Sequence, residues 1–275
     1  MLRGLYGSAA GMIAQQQRQE MLSNNIANAN TPGYKADQAS LRTFPNMLIQ
    51  SMGTSNFPPN RSQVIGDIST GVYLQERMPN FRQGDINETG NNTDIALLQG
   101  AMPLNEDGRP GALFFAVENQ DGDIRYTRNG NFAVDGQGFL VTGDGFYVQN
   151  AAGERIEVGN ENFRVTQEGT ILAENGANLG QLEVAFAADP MQLVKEGSGL
   201  LRLEAEGIDV LPTAFGNGDV TFQLNQGFIE RSNVDAAQTM TEMMNAFRSF
   251  EANQKVLQAY DRSLEKAVNE VGRIG

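Results

Sequence analysis

The chain has 275 residues, a net charge of −13, and no cysteine, histidine or tryptophan. Those absences exclude disulfides, thiolate nucleophiles, imidazole bases and the usual zinc ligands, and with them most enzyme chemistry. Hydrophobic residues make up 40% of the chain, which is ordinary for one large folded domain or two small ones.

The charge is unevenly spread. Residues 1–40 hold three basic and two acidic side chains and residues 230–275 six and seven, whereas 41–229 hold 11 and 24. The negative excess therefore sits in the middle, on a solubilising surface that repels nucleic acid and anionic lipid, while near-neutral ends pack densely without self-repulsion. Residues 4–14 lack the leucine-dense centre of a signal peptide, and no window reaches 18 apolar residues. Neither a cleaved leader nor a membrane span is expected.

From the start of the chain, Leu2, Leu5, Ala9, Met12, Gln16, Gln19, Ser23 and Ile26 follow 3-4 spacing, which predicts a long helix. Its stripe of Ala, Met and Gln buries little and needs a partner. The helix must stop near 28–35, because Pro32 pushes Thr31 out of helical geometry and Pro32-Gly33 suits a type II turn. Residues 35–49 read as helical or extended, and 51–69, with Pro58-Pro59, as a loop.

Beyond that point the period changes to two. Runs at 113–117, 124–127, 131–134, 139–142 and 146–149 read as strands, separated by Asp121-Gly122, Asn129-Gly130, Asp135-Gly136 and Asp144-Gly145. Weaker runs at 155–158, 170–173, 179–187, 200–203 and 220–224 extend them to about ten strands in a sandwich or open barrel.

The last element is the strongest. Met240, Met243, Phe247, Phe250, Gln254, Leu257, Asp261, Leu264, Val268 and Val271 keep strict 3-4-3-4 spacing, the mark of a coiled-coil seam or long bundle helix. Ser232 or Asn233 would cap it, Asp235 would favour its positive end, and Gly272 would end it. Counted from 234 to 271 the helix is roughly 57 Å long, at about 1.5 Å per residue. That exceeds what its own domain covers. The fold class is thus α+β: long N- and C-terminal helices pair as a coiled-coil-like layer around an inserted antiparallel β domain. Its expected divisions are 1–40 and 226–275 as an inner helical domain, 41–70 as a linker and 71–225 as the β domain.

Four blocks resemble a known family. Ser23-Asn24-Asn25-Ile26-Ala27-Asn28-Ala29-Asn30-Thr31-Pro32-Gly33-Tyr34-Lys35 looks like the N-terminal signature of flagellar rod, hook and hook-associated proteins. Phe81-Arg82-Gln83-Gly84-Asp85-Ile86-Asn87-Glu88-Thr89-Gly90, with Thr93-Asp94-Ile95-Ala96, resembles that family's lead into its β domain. Tyr126-Thr127-Arg128-Asn129-Gly130-Asn131-Phe132 is similar to its hairpin motif, and Gly227-Phe228-Ile229-Glu230-Arg231-Ser232-Asn233-Val234-Asp235 to its approach to the C-terminal helix. The length resembles the FlgF/FlgG-like and FlhO/FlhP rod types more than the longer hook protein. One departure is the stretch 99–111, which stands before Phe114-Phe115 where the family runs straight into a Gly-x-Gly-Phe-Phe strand; the pairing around it stays open.

The resemblance implies a subunit exported through the flagellar type III gate without signal cleavage, which polymerises helically into the rod that transmits torque from motor to hook. Both terminal helices would line the channel, with the β domain outside. Its partners would be copies of itself, homologous rod and hook subunits, and the export apparatus; no nucleic acid, membrane span or small-molecule substrate is expected. Subunit packing is expected at Leu5, Met12, Asn24, Asn25, Asn28, Asn30, Pro32, Gly33, Tyr34, Met240, Met243, Phe247, Phe250, Leu257, Leu264 and Val268. The Asn-rich turn has a plainer reading, that Asn and Pro-Gly simply end a helix, and the long stripe claims only packing.

No catalytic, cofactor or metal residue is assigned. Glu106-Asp107-Gly108 and Asp121-Gly122-Asp123 read as turns, since an EF-hand loop begun at Asp121 would reach Phe132 where Glu is required. No nucleotide-binding glycine motif occurs. The rival reading, a cell-wall glycan hydrolase or binding module built on the β domain, would depend on single carboxylates, whereas a polymer would depend on both termini.

Overall fold

The computed structural model describes residues 2–51, 63–204 and 210–271. They form two compact units: one of 1–27, 37–78 and 235–275, the other of 28–36 and 79–234.

The first unit is built on two helices, α1 (Leu2–Ala27) and α2 (Ala236–Val271). They run antiparallel, because Gly4 meets Tyr260 and Gly11 meets Asn253. Glycine lets these side chains come close: a Cβ on Gly4 would overlap the Tyr260 ring as placed, and one on Gly11 would stand 2.8 Å from Asn253 Nδ2. Arg18 bonds Glu242 at 3.2 Å further along the pair. Asp235 caps α2, its Oδ1 accepting from Gln238 N at 3.0 Å and its carbonyl from Thr239 N at 2.9 Å. The cap is therefore neither Ser232 nor Asn233. Gly272 lies outside the described residues.

Two ribbons complete this unit. β1 (Asp37–Thr43) pairs with β4 (Val72–Pro79), and β2 (Met47–Ser51) with β3 (Gln63–Ile68) in antiparallel register. Residues 35–49 are extended, not helical. Of the expected loop at 51–69, residues 52–62 with Pro58-Pro59 lie outside the described residues, and 63–68 form a strand, because their short apolar run finds β2 as partner.

The second unit is antiparallel β. Its strands are β5 (Ile86–Glu88), β6 (Ile95–Gln99), β7 (Ala112–Glu118), β8 (Ile124–Thr127), β9 (Phe132–Val134), β10 (Leu140–Thr142), β11 (Tyr147–Val148), β12 (Arg164–Val165), β13 (Thr170–Leu172), β14 (Asn178–Gln181), β15 (Val184–Ala187), β16 (Leu193–Gly197), β17 (Leu200–Leu203), β18 (Phe222–Gln226) and β19 (Phe228–Glu230). The main sheet runs β16-β17-β8-β7-β11-β10-β9, with β15 also on β7. Smaller sheets join β12-β13-β14, β18-β6 and β19-β5.

Strand β7 is the hub. Its sequence is apolar at successive positions instead of alternating, as a strand buried on both faces requires. Leu113, Phe115 and Val117 enter one core with Ile95, Leu97, Leu140, Ile171 and Leu224. Ala112, Phe114 and Ala116 enter another with Tyr126, Ala185, Leu193 and Leu201. Phe115 meets Phe132 edge-on at 5.3 Å and Phe114 meets Phe81 at 5.6 Å, the favoured aromatic geometry.

The turns repeat one device. Asn105, Asn119, Asp135 and Asn150 each accept from the N–H groups two and four residues on. The glycine three residues on, at 108, 122, 138 and 153, has positive φ each time. Both carboxylate-bearing loops noted in the sequence are such turns. Within 99–111, Gly100 and Ala101 bond Thr221, and Leu104 bridges Pro110. The pairing left open there thus resolves: β6 joins β18, and β7 joins β8, β11 and β15.

Two strand expectations change. Residues 155–158 form only single bridges, Arg155 to Gln149 and Glu157 to Phe139, because the run crosses the ends of two strands. Residues 179–187 split into β14 and β15, since Leu182 and Glu183 turn their N–H groups to Gly169 and Gln149.

Candidate functional site: a buried ion cluster where four sequence blocks meet

The Asn-rich turn belongs to the second unit. Thr31 N and Oγ1 donate to Asn28 O at 3.1 Å and Oδ1 at 3.2 Å. Tyr34 N donates to Thr31 O at 3.3 Å, and Gly33 has φ 69°, the type II geometry that Pro32-Gly33 calls for. Glycine is needed twice over, since a Cβ on Gly33 would stand 2.5 Å from the backbone of Arg128 and Asn129. The turn is thereby pressed against the hairpin that carries Arg128.

At this junction lies a cluster of charge. Lys35 Nζ reaches Glu230 Oε1 at 2.5 Å, and Arg128 Nε reaches Glu230 Oε2 at 2.5 Å. Gly84 N donates to Glu230 Oε1 at 2.8 Å. The remaining donors find carbonyls: Lys35 Nζ bonds Arg82 O at 2.8 Å, and Arg128 bonds Leu113 O at 2.6 Å and Leu97 O at 2.8 Å. All three side chains are at most 5% exposed. Each of the four blocks supplies one member.

Two cations share one carboxylate, which fixes the electrostatics. Burial pulls Lys35 down to about 8 from 10.5; Glu230 opposes the shift and Arg128 adds to it. For Glu230, burial alone would raise the carboxyl, but Arg128 and Lys35 outweigh it and hold it below the usual carboxylate value. Its contribution to stability is present above the unfolded value and lost as pH falls through the folded one.

Neighbouring contacts reinforce the joint. Lys195 Nζ sits 4.3 Å from the Tyr34 ring centroid and bonds Lys35 O at 2.7 Å. Asn233 Oδ1 accepts from Ala36 N, and its Nδ2 donates to Asn80 O and Arg82 O; held by these bonds, Asn233 does not cap α2. Asp94 accepts from Thr89, Asn91 and Asn131. With the Glu230 oxygens held by three internal donors, the arrangement suits a clamp and not acid–base chemistry. Lys35, Gly84, Arg128 and Glu230 had no role in the sequence reading beyond standing in the four blocks, and no local pattern marks them as partners.

The residues expected to pack subunits spread over both units. On α1, Leu5 and Met12 are half-buried, Asn24 is exposed, and Asn25 is buried, exchanging two bonds with the Asp37 backbone at 2.8 and 2.9 Å. In the turn, Asn28, Pro32, Gly33 and Tyr34 are half-buried and Asn30 is exposed. On α2, Met243, Phe250, Leu257 and Leu264 are half-buried, while Met240, Phe247 and Val268 are exposed. The face of α2 set against α1 instead includes Thr239, Ala246, Asn253 and Tyr260.

Comparison with known proteins gives this arrangement its class. Residues 5–35 match the family described as flagella basal body rod protein, 110–179 the flagellar hook protein FlgE/F/G D1 domain, and 225–270 the flagellar basal body rod FlgEFG protein C-terminal. The chain belongs to the flagellar hook–basal-body rod proteins, a structural family and not an enzymatic one. Among its relatives, the hook-basal body complex protein FlhO of Bacillus subtilis is 46% identical over 275 residues, covering all of both chains. The rod protein FlgG of the same organism is 33% identical over 282 residues, covering 98% of this chain and 99% of the other. That of Agrobacterium fabrum is 32% identical, covering 94% and 96%. The glycan-hydrolase alternative has no support among them. Among the described residues, no helix is long and apolar enough to cross a membrane.

Proposed function

We propose that copies of this chain polymerise helically through their terminal helices into the hollow shaft that carries torque from motor to hook. In this reading α1 and α2 pair as a coiled-coil-like layer around the channel, and the β unit of 28–36 and 79–234 faces outward. The partners are copies of the chain and homologous rod and hook subunits. The flagellar type III apparatus exports the chain to its extracytoplasmic place in the basal body.

One observation carries the proposal: the helical unit leaves large apolar side chains open. Tyr6 is 66% exposed, Phe247 53%, and Ile13, Met240 and Met244 are similar. An apolar row of this kind on two long helices suits cover by neighbouring helices. Of the expected packing residues, Met240, Phe247, Val268, Asn24 and Asn30 supply the first copy-to-copy contacts, and the half-buried ones hold the helices and turn beneath them. Basal bodies isolated from cells carrying a tagged chain should hold it within the rod, and cells lacking it should lack filaments. Normal basal bodies and swimming without the chain would overturn the proposal.

A further inference from the structure

Three Asn-Gly pairs occur in the chain, Asn129-Gly130, Asn175-Gly176 and Asn217-Gly218. Asparagine is a thermolabile residue, and such a pair cyclises without a catalyst when its backbone is free to turn, because glycine has no side chain to shield its N or to hinder the rotation. The glycine N attacks the asparagine Cγ, the Cγ–Nδ2 bond breaks, and ammonia leaves with the glycine N–H proton, giving a five-membered succinimide. Water then adds at one imide carbonyl or the other, and the residue becomes isoaspartate or aspartate.

The fold treats the three pairs differently. In each, the asparagine Oδ1 accepts from the N–H two residues on, at 3.0 Å for Asn129, 2.9 Å for Asn175 and 3.2 Å for Asn217. That donor favours charge developing on the oxygen in all three, so the nucleophile decides. Gly130 is buried, and a Cβ there would overlap Ile95 O; this backbone has no room to swing. Gly176 is exposed, but its N–H donates to Ala173 O at 2.8 Å, in a turn closed by Ala173 N on Ala177 O at 2.8 Å. Gly218 is exposed, its N–H donates no hydrogen bond among the described residues, and nothing stands within 4 Å of where its Cβ would be. Asn217 is exposed too, and its own backbone is held by long bonds, 3.4 Å to Ala214 O and 3.2 Å from Val220 N.

We infer that Asn217 is a self-modifying site, which turns to isoaspartate and aspartate in the folded chain while Asn129 and Asn175 are protected. The product places a second negative charge beside Asp219 and, as isoaspartate, adds a methylene to the backbone just ahead of β18. The full-length chain, held in warm and mildly alkaline buffer and mapped by peptide mass spectrometry, should exchange amide for acid at Asn217 first, severalfold faster than at Asn175 or Asn129. An isoaspartate-specific methyltransferase supplied with labelled S-adenosylmethionine should mark the same peptide. In denaturant the ranking should vanish, since three copies of one dipeptide then react alike. Gly218→Ala, at a position with open space and no left-handed φ, should slow the change at Asn217 severalfold with the fold intact. A folded chain that loses its amide first at Asn175 or Asn129, or equally at all three, overturns the inference, as does one that keeps Asn217 intact while its denatured form loses it.

Discussion

The β unit has a finished core and the helical unit an unfinished one. In the first, Phe114, Phe115, Ile95, Leu97, Leu113 and Leu140 are at most 1% exposed. Among the described residues of the second, the buried apolar side chains are Ala14, Met21, Leu22 and Ala246, while Tyr6, Ile13, Met240, Met244 and Phe247 face out. The difference teaches where each kind of stability comes from: the β unit buries its large apolar side chains within itself, whereas the helices leave theirs for a neighbour to cover.

The comparison breaks most sharply at Glu230. Replacing it by Ala strands Lys35 and Arg128 as buried cations without a counter-charge, an expected loss of about 3–5 kcal/mol in denaturant unfolding of the β unit. Lys35→Met, which leaves a one-to-one Arg128–Glu230 pair, should cost far less. An equal loss from both would refute the clamp. Next comes Gly84→Ala, whose Cβ would overlap Arg231 O; overpacking of this kind costs about 1–3 kcal/mol, and calorimetry should show a lower melting temperature.

A further effect is tied to pH. Below 8 Lys35 is charged in both states; between 8 and 10.5 the unfolded chain holds its proton more tightly than the folded one. Stability attributable to Lys35 should therefore rise with pH through that window, then level off. The difference between wild type and Lys35→Met measures it, and a flat difference would refute the assignment. Smallest for the lone chain is Phe247→Ala, expected within about 0.5 kcal/mol because the residue is exposed. Combined with Leu257→Ala it should leave β-unit melting unchanged and yet give cells without filaments. Normal swimming at normal protein levels would erase the contrast.

Much of this contrast was legible in the sequence. Period-two runs and Asn/Asp-Gly turns located the β unit because those signals are local. The Pro32-Gly33 turn was legible for the same reason. The heptad stripe located α2 but not the face that α1 covers, because Gly4 and Gly11 admit Tyr260 and Asn253, side chains that a hydrophobic pattern passes over. Asp235 capped the helix in place of Asn233, since a distant backbone claimed Asn233. The Glu230 cluster could not be read at all: its members lie in separate blocks, and only the fold brings them together.

That separation also has a consequence in time. Lys35 and Glu230 are 195 residues apart, and Arg128 and Glu230 are 102 apart. At synthesis rates of about 5–20 residues per second, roughly 10–40 s pass between the first cation and its carboxylate. Until then Lys35 and Arg128 have no carboxylate between them, and such long-range closure is slow to nucleate. The ion cluster therefore closes only when nearly all of the chain has been made, once the last strand before α2 supplies Glu230.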